Sequence, residues 1–363
     1  MPSAAWRRGG ARRTPPLLAA LLLAAACSSG SDAPTQPTPP AACRFVNPVA
    51  TGADPWVLRH DGAYLYVESE GRDINVYRSA RLTEPKRNGV RIWAAPDTGW
   101  NSTNVWAPEL HLVDGRWYVY YAAGRGGPPF VSQRAGVLRS VGADPQGAYE
   151  DLGQLDTGGD VATRADDVWA IDLTVGRLNG QLYAVWSGWE ANAATDRTPQ
   201  HLYIAPMSDP ATISGRRVRL SSPVESWERG TELDLQEGPT FLRNGDHVFL
   251  IYSTRESWLP DYRLGQLRLA SAAADPLQPA SWSKSGPVFE RTTSVLGPGH
   301  ASFTTSPDGT EPWIAYHAKT STAPGWDRVV RLQEFSWRPD GSPDFGTPAA
   351  TGASLPMPAG QCE

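Results

Sequence analysis

The feature that most constrains the fold is a combination of turn and strand that occurs five times along the chain. Each copy is an Asp-Gly or Asn-Gly pair followed by a strand in which aromatic and aliphatic residues alternate. The five pairs are Asp61-Gly62, Asp114-Gly115, Asn179-Gly180, Asn244-Gly245 and Asp308-Gly309. These dipeptides favour β-hairpins because a type I′ turn needs φ > 0 at both central residues. We therefore predict five hairpins.

The spacing of the hairpins predicts how they assemble. Successive turn glycines are separated by roughly 53 to 65 residues, which is enough for a four-stranded sheet and its loops. Repeats of this size are typical of propeller blades, which protect sheet edges by radial repetition. A two-sheet sandwich is the alternative, but its strands would recur at intervals of about 8 to 12 residues without the longer period. We predict an all-β fold, a five-bladed β-propeller with four-stranded blades around a central channel.

Composition excludes nucleic acid as a partner. The chain has 363 residues, a formal net charge of -5 and no basic run beyond Arg13, so it lacks the long-range attraction that phosphate binding needs. The 15 Trp, 35 Gly and 33 Pro indicate many turns between short aromatic strands. The flat faces of aromatic side chains are also suited to binding sugar rings. One large domain accounts for this length, and we expect a monomer.

The N-terminus has the features of an export signal. Four arginines precede an apolar stretch at residues 17–26, which is about half the length that spans a bilayer as a helix. The stretch leads into Leu23-Ala24-Ala25-Ala26-Cys27, which resembles a bacterial lipobox although Ala24 stands where Leu is usual. We expect residues 1–27 to be a signal peptide with a lipidated Cys27, and an ordinary signal peptide is the alternative. The protein would be anchored by this lipid to the bacterial cell envelope, its only membrane contact, or secreted.

The cysteines and the segment after Cys27 indicate where the folded domain begins. Residues 28–42 are rich in Ser, Gly, Thr and Pro, which predicts a flexible linker before a propeller domain at 43–363. With Cys27 lipidated, Cys43 and Cys362 are the remaining cysteines, and an oxidising compartment favours their pairing. A bridge would join the two ends of the ring. Two free thiols are the alternative.

Acidic residues recur at one position of the repeat. Counting back eight positions from the turn glycines reaches Asp54, Ala107, Asp172, Glu237 and Ala301. Trp106 and His300 lie one position earlier in their repeats. If the strand before each turn is the innermost of its blade, these residues surround one mouth of the channel. Three crowded carboxylates repel one another, which favours a catalytic pocket. A cation site, or carboxylates solvated on separate loops, are the alternatives.

Each acid lies in a distinctive string of residues. The strings in chain order are Ala53-Asp54-Pro55-Trp56, Trp106-Ala107-Pro108-Glu109, Ile171-Asp172-Leu173-Thr174, Glu237-Gly238-Pro239 and Gly297-Pro298-Gly299-His300. Together they resemble glycoside hydrolase family 43 in the family's order, from Asp54 to about Trp337. Leu173 departs from the family, which usually has Pro there. The resemblance implies a five-bladed propeller that hydrolyses arabinofuranosyl or xylosyl linkages of plant-type glycans with inversion.

The resemblance also implies roles for the three acids. Asp54 would be the general base that activates water, Glu237 the general acid that protonates the leaving oxygen, and Asp172 the group that orients Glu237 and raises its pKa. In an inverting enzyme the base and the acid stand about 6.5 to 9.5 Å apart, so that water fits between them. A neighbouring anion disfavours ionisation, so an ionised Asp172 would keep Glu237 protonated.

Three further residues are assigned by the resemblance alone. Trp106 would lie against the sugar ring, with a place in the core as the alternative. His300 would contact a hydrated metal ion, commonly calcium, in the central channel, with a structural role as the alternative. Arg331 would face the sugar, with a surface salt bridge as the alternative. The chemistry itself would need no cofactor.

The sequence leaves the sugar open. We favour an exo-acting α-L-arabinofuranosidase, while β-xylosidase and arabinanase activities would share the same catalytic ring. Loops around Trp189 and Trp258 would select among them. A non-catalytic sugar-binding lipoprotein would also have a Trp-rich pocket and a tether, but it would not need the pair of acids. An enzyme acting on fructosides is disfavoured because relatives of that kind differ in the first motif.

Overall fold

The five turn glycines each connect the first two strands of an antiparallel sheet. In the computed structural model, which describes residues 43–158 and 167–362, five such sheets form the blades of a propeller. The predictions for residues 1–27 and 28–42, including Cys27, lie outside the described residues. No helix in the two described ranges is long and apolar enough to cross a membrane.

The blades follow one another along the chain, and each blade begins with its innermost strand. Blade I has the strands Trp56–His60, Ala63–Glu70, Asp73–Ser79 and Val90–Ala94, and blade II has Thr103–Val113, Arg116–Gly124, Arg134–Ser140 and Tyr149–Gln154. Blade III has Ala170–Leu178, Gln181–Gly188, His201–Asp209 and, as a divided fourth strand, Thr212–Ile213 and Val218–Ser221. Blade IV has Gln236–Asn244, His247–Thr254, Arg263–Leu269 and Trp282–Phe289, with a 3-10 turn at Pro279–Ser281. Blade V has Leu296–Thr305, Pro312–Lys319, Arg328–Glu334 and Ala50–Thr51.

The hairpin turns agree with the sequence prediction in full at three of the five repeats. Asp61-Gly62, Asp114-Gly115 and Asn179-Gly180 have positive φ at both residues and connect strands through two-residue loops, as type I′ turns require. In the other two repeats only Gly245 and Gly309 have positive φ. All five copies are nevertheless hairpins, because antiparallel pairing continues on both sides of each turn.

Hydrophobic packing between neighbouring blades holds the ring together. Five clusters of buried side chains fill the five interfaces between adjacent blades, including the one between blades V and I. Examples of fully buried rings in them are Trp117, Trp186, Phe249 and Tyr316. The innermost strands of successive blades also contact one another around the whole circle. Successive residues of a strand point to opposite faces of the blade, and apolar side chains on both faces are buried against the neighbouring blades.

The N-terminal part of the domain closes the ring on blade V. Ala50–Thr51 is the outer strand of that blade, pairing with Val329 and Val330. The side chain of Asn47 extends this pairing, since its amide donates to the Leu332 carbonyl at 2.7 Å and its oxygen accepts the Leu332 N–H at 2.9 Å. The structure thus joins the first described residues to the last blade by hydrogen bonds.

The two chain ends are joined again outside the blades. Arg44–Val46 pairs with Ser354–Pro356, while Ser336–Trp337 pairs with Pro343–Asp344 in a separate hairpin. Cys43 and Cys362 form a disulfide, as the sequence predicted. The bridge spans 319 residues of chain, so it lies where the ring would otherwise open.

Replacing both Cys43 and Cys362 by Ser is expected to lower the free energy of unfolding by about 5 kcal/mol, because a bridge over so long a loop restricts the unfolded chain strongly. Chemical denaturation monitored by tryptophan fluorescence measures this difference. Adding reductant should move the wild type to the stability of the double variant and should leave the double variant unchanged. A loss below about 1 kcal/mol would show that strand pairing alone closes the ring.

Candidate active site

A backbone irregularity occurs near the same position of all five blades. Asp54, Ala107, Asp172, Gly238 and His300 all have φ between 39° and 56°, the left-handed region. In blades II to V the register of the innermost pair of strands shifts around these residues, as in a β-bulge. Bulges redirect side chains and are common beside active sites. The irregularity turns side chains of the innermost strands towards one mouth of the channel, at a cost in strain for the non-glycine residues.

The pocket at this mouth contains most of the residues expected from the sequence. It has a volume of about 770 Å³ and is lined by Asp54, Trp106, Asp172, Glu237 and His300, among others. These five side chains come from all five blades. The prediction that residues eight or nine positions before each turn glycine meet at one site therefore agrees with the structure.

Asp54 is surrounded by nitrogen-bearing side chains. Its Oδ1 lies 3.2 Å from Nη1 of Arg328, 3.3 Å from Nδ1 of His300 and 3.1 Å from Nδ1 of His317. Burial opposes ionisation of Asp54, but the Arg328 guanidinium, helped by His300 and His317, outweighs it and holds the pKa well below its usual range. Asp54 is therefore a carboxylate throughout the physiological pH range.

The neighbouring His317 is neutral. It is fully buried, and burial lowers its pKa to about 3. Its Nδ1 lies 3.1 Å from the backbone N of Asp54 and 3.1 Å from Asp54 Oδ1, so one imidazole atom contacts both the backbone and the carboxylate of the same residue. His317 thus fixes the backbone of Asp54 and adds no charge to the pocket.

Asp172 and Glu237 form a second, adjacent pair of acids. Both are buried, and Asp172 Oδ2 accepts the N–H of Gly238 at 3.0 Å. Burial raises the pKa of Asp172 well above its usual range, with the charges of Glu237 and Asp54 adding to the rise. Burial also raises the pKa of Glu237 to about 7, although hydrogen bonds to its anion oppose the rise. The two carboxyls resist double ionisation and titrate as a unit.

Glu237 is held by the loop between the second and third strands of blade IV. The hydroxyl of Tyr262 donates to Glu237 Oε1 at 2.8 Å, and Ser257 from the same loop lines the pocket with this carboxyl. Tyr262 stacks on His317 with 5.4 Å between ring centroids. The orientation of Glu237 is therefore tied to the residue that fixes Asp54.

A fourth carboxyl close to Asp172 adds no charge. Glu109 is buried, and its Oε2 lies 2.8 Å from Nε2 of His111. Burial raises the pKa of Glu109 well above its usual range, and burial lowers the pKa of His111 to about 3. The carboxyl of Glu109 is therefore protonated and the imidazole of His111 is uncharged, so the pair is neutral.

Aromatic side chains form the wall of the pocket on blades II and III. Trp106 meets Phe130 edge to face at 5.2 Å, and the indole N–H of Trp169 donates to the Phe130 carbonyl at 2.7 Å. Trp189, which was expected to help select the sugar, is fully buried and stacks on Trp169 at 4.5 Å. It supports this wall from behind, whereas Trp258 itself lines the pocket.

The structure corrects the expected position of Arg331. This side chain is buried away from the pocket, where it donates to the Ala349 carbonyl at 2.6 Å and contacts Tyr316 and Thr351. The arginine of this strand that lines the pocket is Arg328, three positions earlier. Alternate strand residues face opposite sides, so positions three apart point in opposite directions. The sequence did not indicate which of the two faces the channel.

Several residues that line the pocket or contact its acids lie outside the recognised strings and were missed for that reason. These are Arg328, His317, Tyr262, Ser257 and Trp326. Tyr262, Ser257 and Trp326 are on or beside loops, where no repeat register applies. His317 follows Tyr316 in the second strand of blade V, and only its position in the repeat could have indicated it.

A directly coordinated calcium ion does not fit the side chains around His300. Calcium prefers six to eight oxygen ligands, whereas Nδ1 of His300 faces Asp54 and lies 4.0 Å from Asp172 Oδ2. The guanidinium of Arg328 is already paired with the Asp54 carboxylate, and its positive charge would repel a divalent cation. Within the described part of the chain, no group of three or more His, Cys, Asp or Glu side chains is arranged to hold a metal ion.

Comparison with known proteins identifies relatives of the chain. An extracellular exo-α-(1→5)-L-arabinofuranosidase of Streptomyces avermitilis is 36% identical over 341 residues, which are 88% of this chain and 67% of that protein. α-L-Arabinofuranosidase 43 of Humicola insolens is 35% identical over 326 residues, 86% of this chain and 65% of that protein. The chain thus spans about two thirds of the length of these two relatives.

A solved structure and a family model agree with these relatives. The crystal structure of α-L-arabinofuranosidase from Lactobacillus brevis matches with a TM-score of 0.77 and 31% identity, covering 85% of this chain and 98% of that chain. The model of glycosyl hydrolases family 43 matches residues 45–343. These matches confirm the family predicted from the sequence, and the chain belongs to glycosyl hydrolases family 43.

Proposed function

We propose that this protein is an exported, exo-acting α-L-arabinofuranosidase that hydrolyses its substrate with inversion. The observation that carries the proposal is the contrast between two acids of one pocket, since Asp54 lies 3.2 Å from the Arg328 guanidinium whereas Glu237 is buried and accepts a hydrogen bond from Tyr262. Asp54 is held ionised by Arg328, whereas burial raises the pKa of Glu237 to about 7. One group suited to accept a proton and one suited to donate a proton are what inverting glycoside hydrolysis requires.

The reaction begins with Asp54 as the general base. A water molecule beside Asp54 attacks the anomeric carbon on the face opposite the leaving oxygen, and Asp54 takes its proton. Arg328 keeps Asp54 ionised until this step, and His317 holds its backbone. The proton gained by Asp54 is afterwards released to solvent.

Glu237 acts as the general acid in the same step. It gives its proton to the glycosidic oxygen as the bond to the anomeric carbon breaks, and it takes a proton from solvent before the next turnover. Tyr262 donates to Oε1 of Glu237, so this oxygen is held as an acceptor and the proton for the substrate is on the other oxygen. Burial, followed by the charge of Asp54, raises the pKa of Glu237, and burial together with the charge of Glu237 raises the pKa of the neighbouring Asp172.

The choice of sugar and of exo action rests on the relatives and on the pocket. The proteins from S. avermitilis, H. insolens and L. brevis are all named α-L-arabinofuranosidases, and the first is named as exo-acting on (1→5) linkages. Trp106, Phe130 and Trp169 line the pocket and offer aromatic faces to a sugar ring. β-Xylosidase and arabinanase are the alternatives within the family.

Export is supported by the first residues and by the relatives' names. The basic and apolar segments before Cys27 fit a signal peptide, and the S. avermitilis protein is named extracellular. A disulfide between Cys43 and Cys362 suits an oxidising compartment. Lipid attachment at Cys27 is part of the proposal, and mass spectrometry of the N-terminal peptide from membranes of the native host tests it. A mature chain that begins at another residue would exclude it.

A substrate panel with detection of the anomer tests the proposed activity. We expect hydrolysis of aryl α-L-arabinofuranoside and of α-1,5-L-arabino-oligosaccharides from one end, and the first product seen by NMR should be β-L-arabinofuranose. Aryl β-xyloside cleaved faster would favour the xylosidase, and mixed oligomers released early from arabinan would favour the arabinanase. Saccharide binding without any hydrolysis would favour a binding lipoprotein.

We also propose that the reaction needs no cofactor and that any ion near His300 is held through water. Asp54 and Glu237 supply both proton transfers, so no step requires a metal. The same panel after dialysis against EDTA tests this, with elemental analysis of the protein before and after. Loss of activity that calcium restores would contradict the proposal.

A further inference from the structure

Two tryptophans form a platform at the edge of the pocket on blades IV and V. Trp258 and Trp326 both line the pocket, and their ring centroids are 5.4 Å apart. Trp326 is 58% exposed, although most large aromatic rings in this chain are buried in the blade interfaces. An exposed indole beside a catalytic pocket indicates a binding surface more than a core position.

The loops that carry the platform are fixed to each other. Trp258 lies in the loop between His247–Thr254 and Arg263–Leu269, and Trp326 lies just before Arg328–Glu334. The Gly325 N–H donates to the Trp258 carbonyl at 3.0 Å, and the Gly325 carbonyl accepts from Nζ of Lys319 at 2.6 Å. The backbones of the two loops are therefore joined without a ligand, which reduces the entropy lost when the loops are ordered on binding.

Two guanidinium groups complete the platform. The guanidinium of Arg197 lies 5.0 Å from the ring centroid of Trp258, and that of Arg328 lies 5.4 Å from the ring centroid of Trp326. Arg197 is paired with Glu232 at 3.0 Å, and Arg328 is paired with Asp54. The platform thus combines apolar faces with hydrogen-bond donors, as carbohydrate recognition requires.

The position of Glu237 decides which part of the substrate reaches this platform. Tyr262, which donates to Glu237, lies in the same loop as Trp258. Because Glu237 protonates the leaving oxygen, the part of the substrate beyond that oxygen has to leave the pocket beside this loop. The aromatic wall of Trp106 and Phe130 lies on blade II.

We infer that Trp258 and Trp326 bind the pentosyl ring that follows the bond to be cleaved. The inference rests on the proposed function and adds to it the two side chains that recognise the second ring of an arabino-oligosaccharide. The pocket volume of about 770 Å³ supports it, because cavities of this size hold a ligand larger than a single pentose.

The variant Trp326→Ala tests the platform by a ratio of two substrates. The ratio of kcat/KM for α-1,5-L-arabinobiose to kcat/KM for methyl α-L-arabinofuranoside, which has no second ring, is expected to fall about tenfold. Trp326→Phe keeps an aromatic face and should restore most of the ratio. An unchanged ratio in Trp326→Ala would overturn the inference.

Calorimetry separates failure of the platform from failure of the proposed activity. In a Glu237→Gln background, arabinobiose is expected to bind more tightly than arabinose, and adding Trp326→Ala should abolish this difference. If the wild type hydrolyses neither substrate but the binding difference depends on Trp326, the proposed activity fails and the platform stands. If arabinobiose and arabinose bind equally with Trp326 present, the platform is excluded. Thermal unfolding of each variant confirms that it is folded.

Discussion

Asp54→Asn is expected to lower kcat/KM by about 10⁴-fold on every substrate, because hydrolysis of each one needs an activated water. Asparagine has nearly the same shape as aspartate but cannot accept the proton. The loss should therefore be similar for an aryl arabinofuranoside and for arabinobiose. Initial rates on both substrates, with product identified by NMR, measure the effect.

The control for Asp54→Asn makes the same substitution away from the pocket. Asp114 lies in a hairpin turn, where Asn-Gly serves as well as Asp-Gly, and its side chain pairs only with the exposed Arg177 among the described residues. Asp114→Asn should keep kcat/KM within about twofold of the wild type. Activity of Asp54→Asn above about one per cent of wild type would exclude Asp54 as the base.

Glu237→Gln is expected to have effects that depend on the leaving group. Hydrolysis of arabinobiose, whose leaving oxygen is basic, should fall about 10³-fold because no acid protonates it. An aryl arabinofuranoside with an activated phenol should lose much less, since its leaving group departs without a proton. Glu150→Gln on the surface is the matched control. Equal losses on both substrates would exclude Glu237 as the acid.

The pH dependence tests the same assignment. Burial raises the pKa of Glu237 to about 7, and the acid is active only when protonated, so kcat/KM of the wild type should fall as the pH rises above about 7. Asp54 has a pKa well below its usual range, so activity should persist far into the acid range. In Glu237→Gln with the activated aryl substrate, the decline above pH 7 should disappear. A decline that remains there would assign it to another group.

Much of the fold was predictable because propeller blades repeat local patterns. The Asp-Gly and Asn-Gly pairs, the alternating strands and the long repeat period determine the hairpins and their number. The strand that closes the ring was harder to predict from the sequence. The outer strand of blade V has only two residues, Ala50–Thr51, and the side chain of Asn47 supplies further hydrogen bonds to Leu332. So short a strand carries no detectable periodicity.

The candidate site was predictable to the extent that it follows the repeat. Asp54, Asp172 and Glu237 share one position relative to their turns, and the structure brings them together. Arg331 was misplaced because strand periodicity alone does not tell which face of the last blade turns to the channel. Tyr262 and Trp326 were missed because they act from loops, where position in the repeat gives no guide.

The sequence by itself determined the properties that depend on near neighbours in the chain: the turns, the alternation of the strands, the number of blades and the motifs that hold the acids. Only the tertiary structure decided the charge of each acid. Arg328 is 274 residues from Asp54 in the chain. Tyr262 reaches Glu237 from a loop of the same blade, and Gly238 reaches Asp172 from the neighbouring blade. Protonation depends on burial and on charges within a few ångströms, and those distances exist only once the blades have closed around the channel.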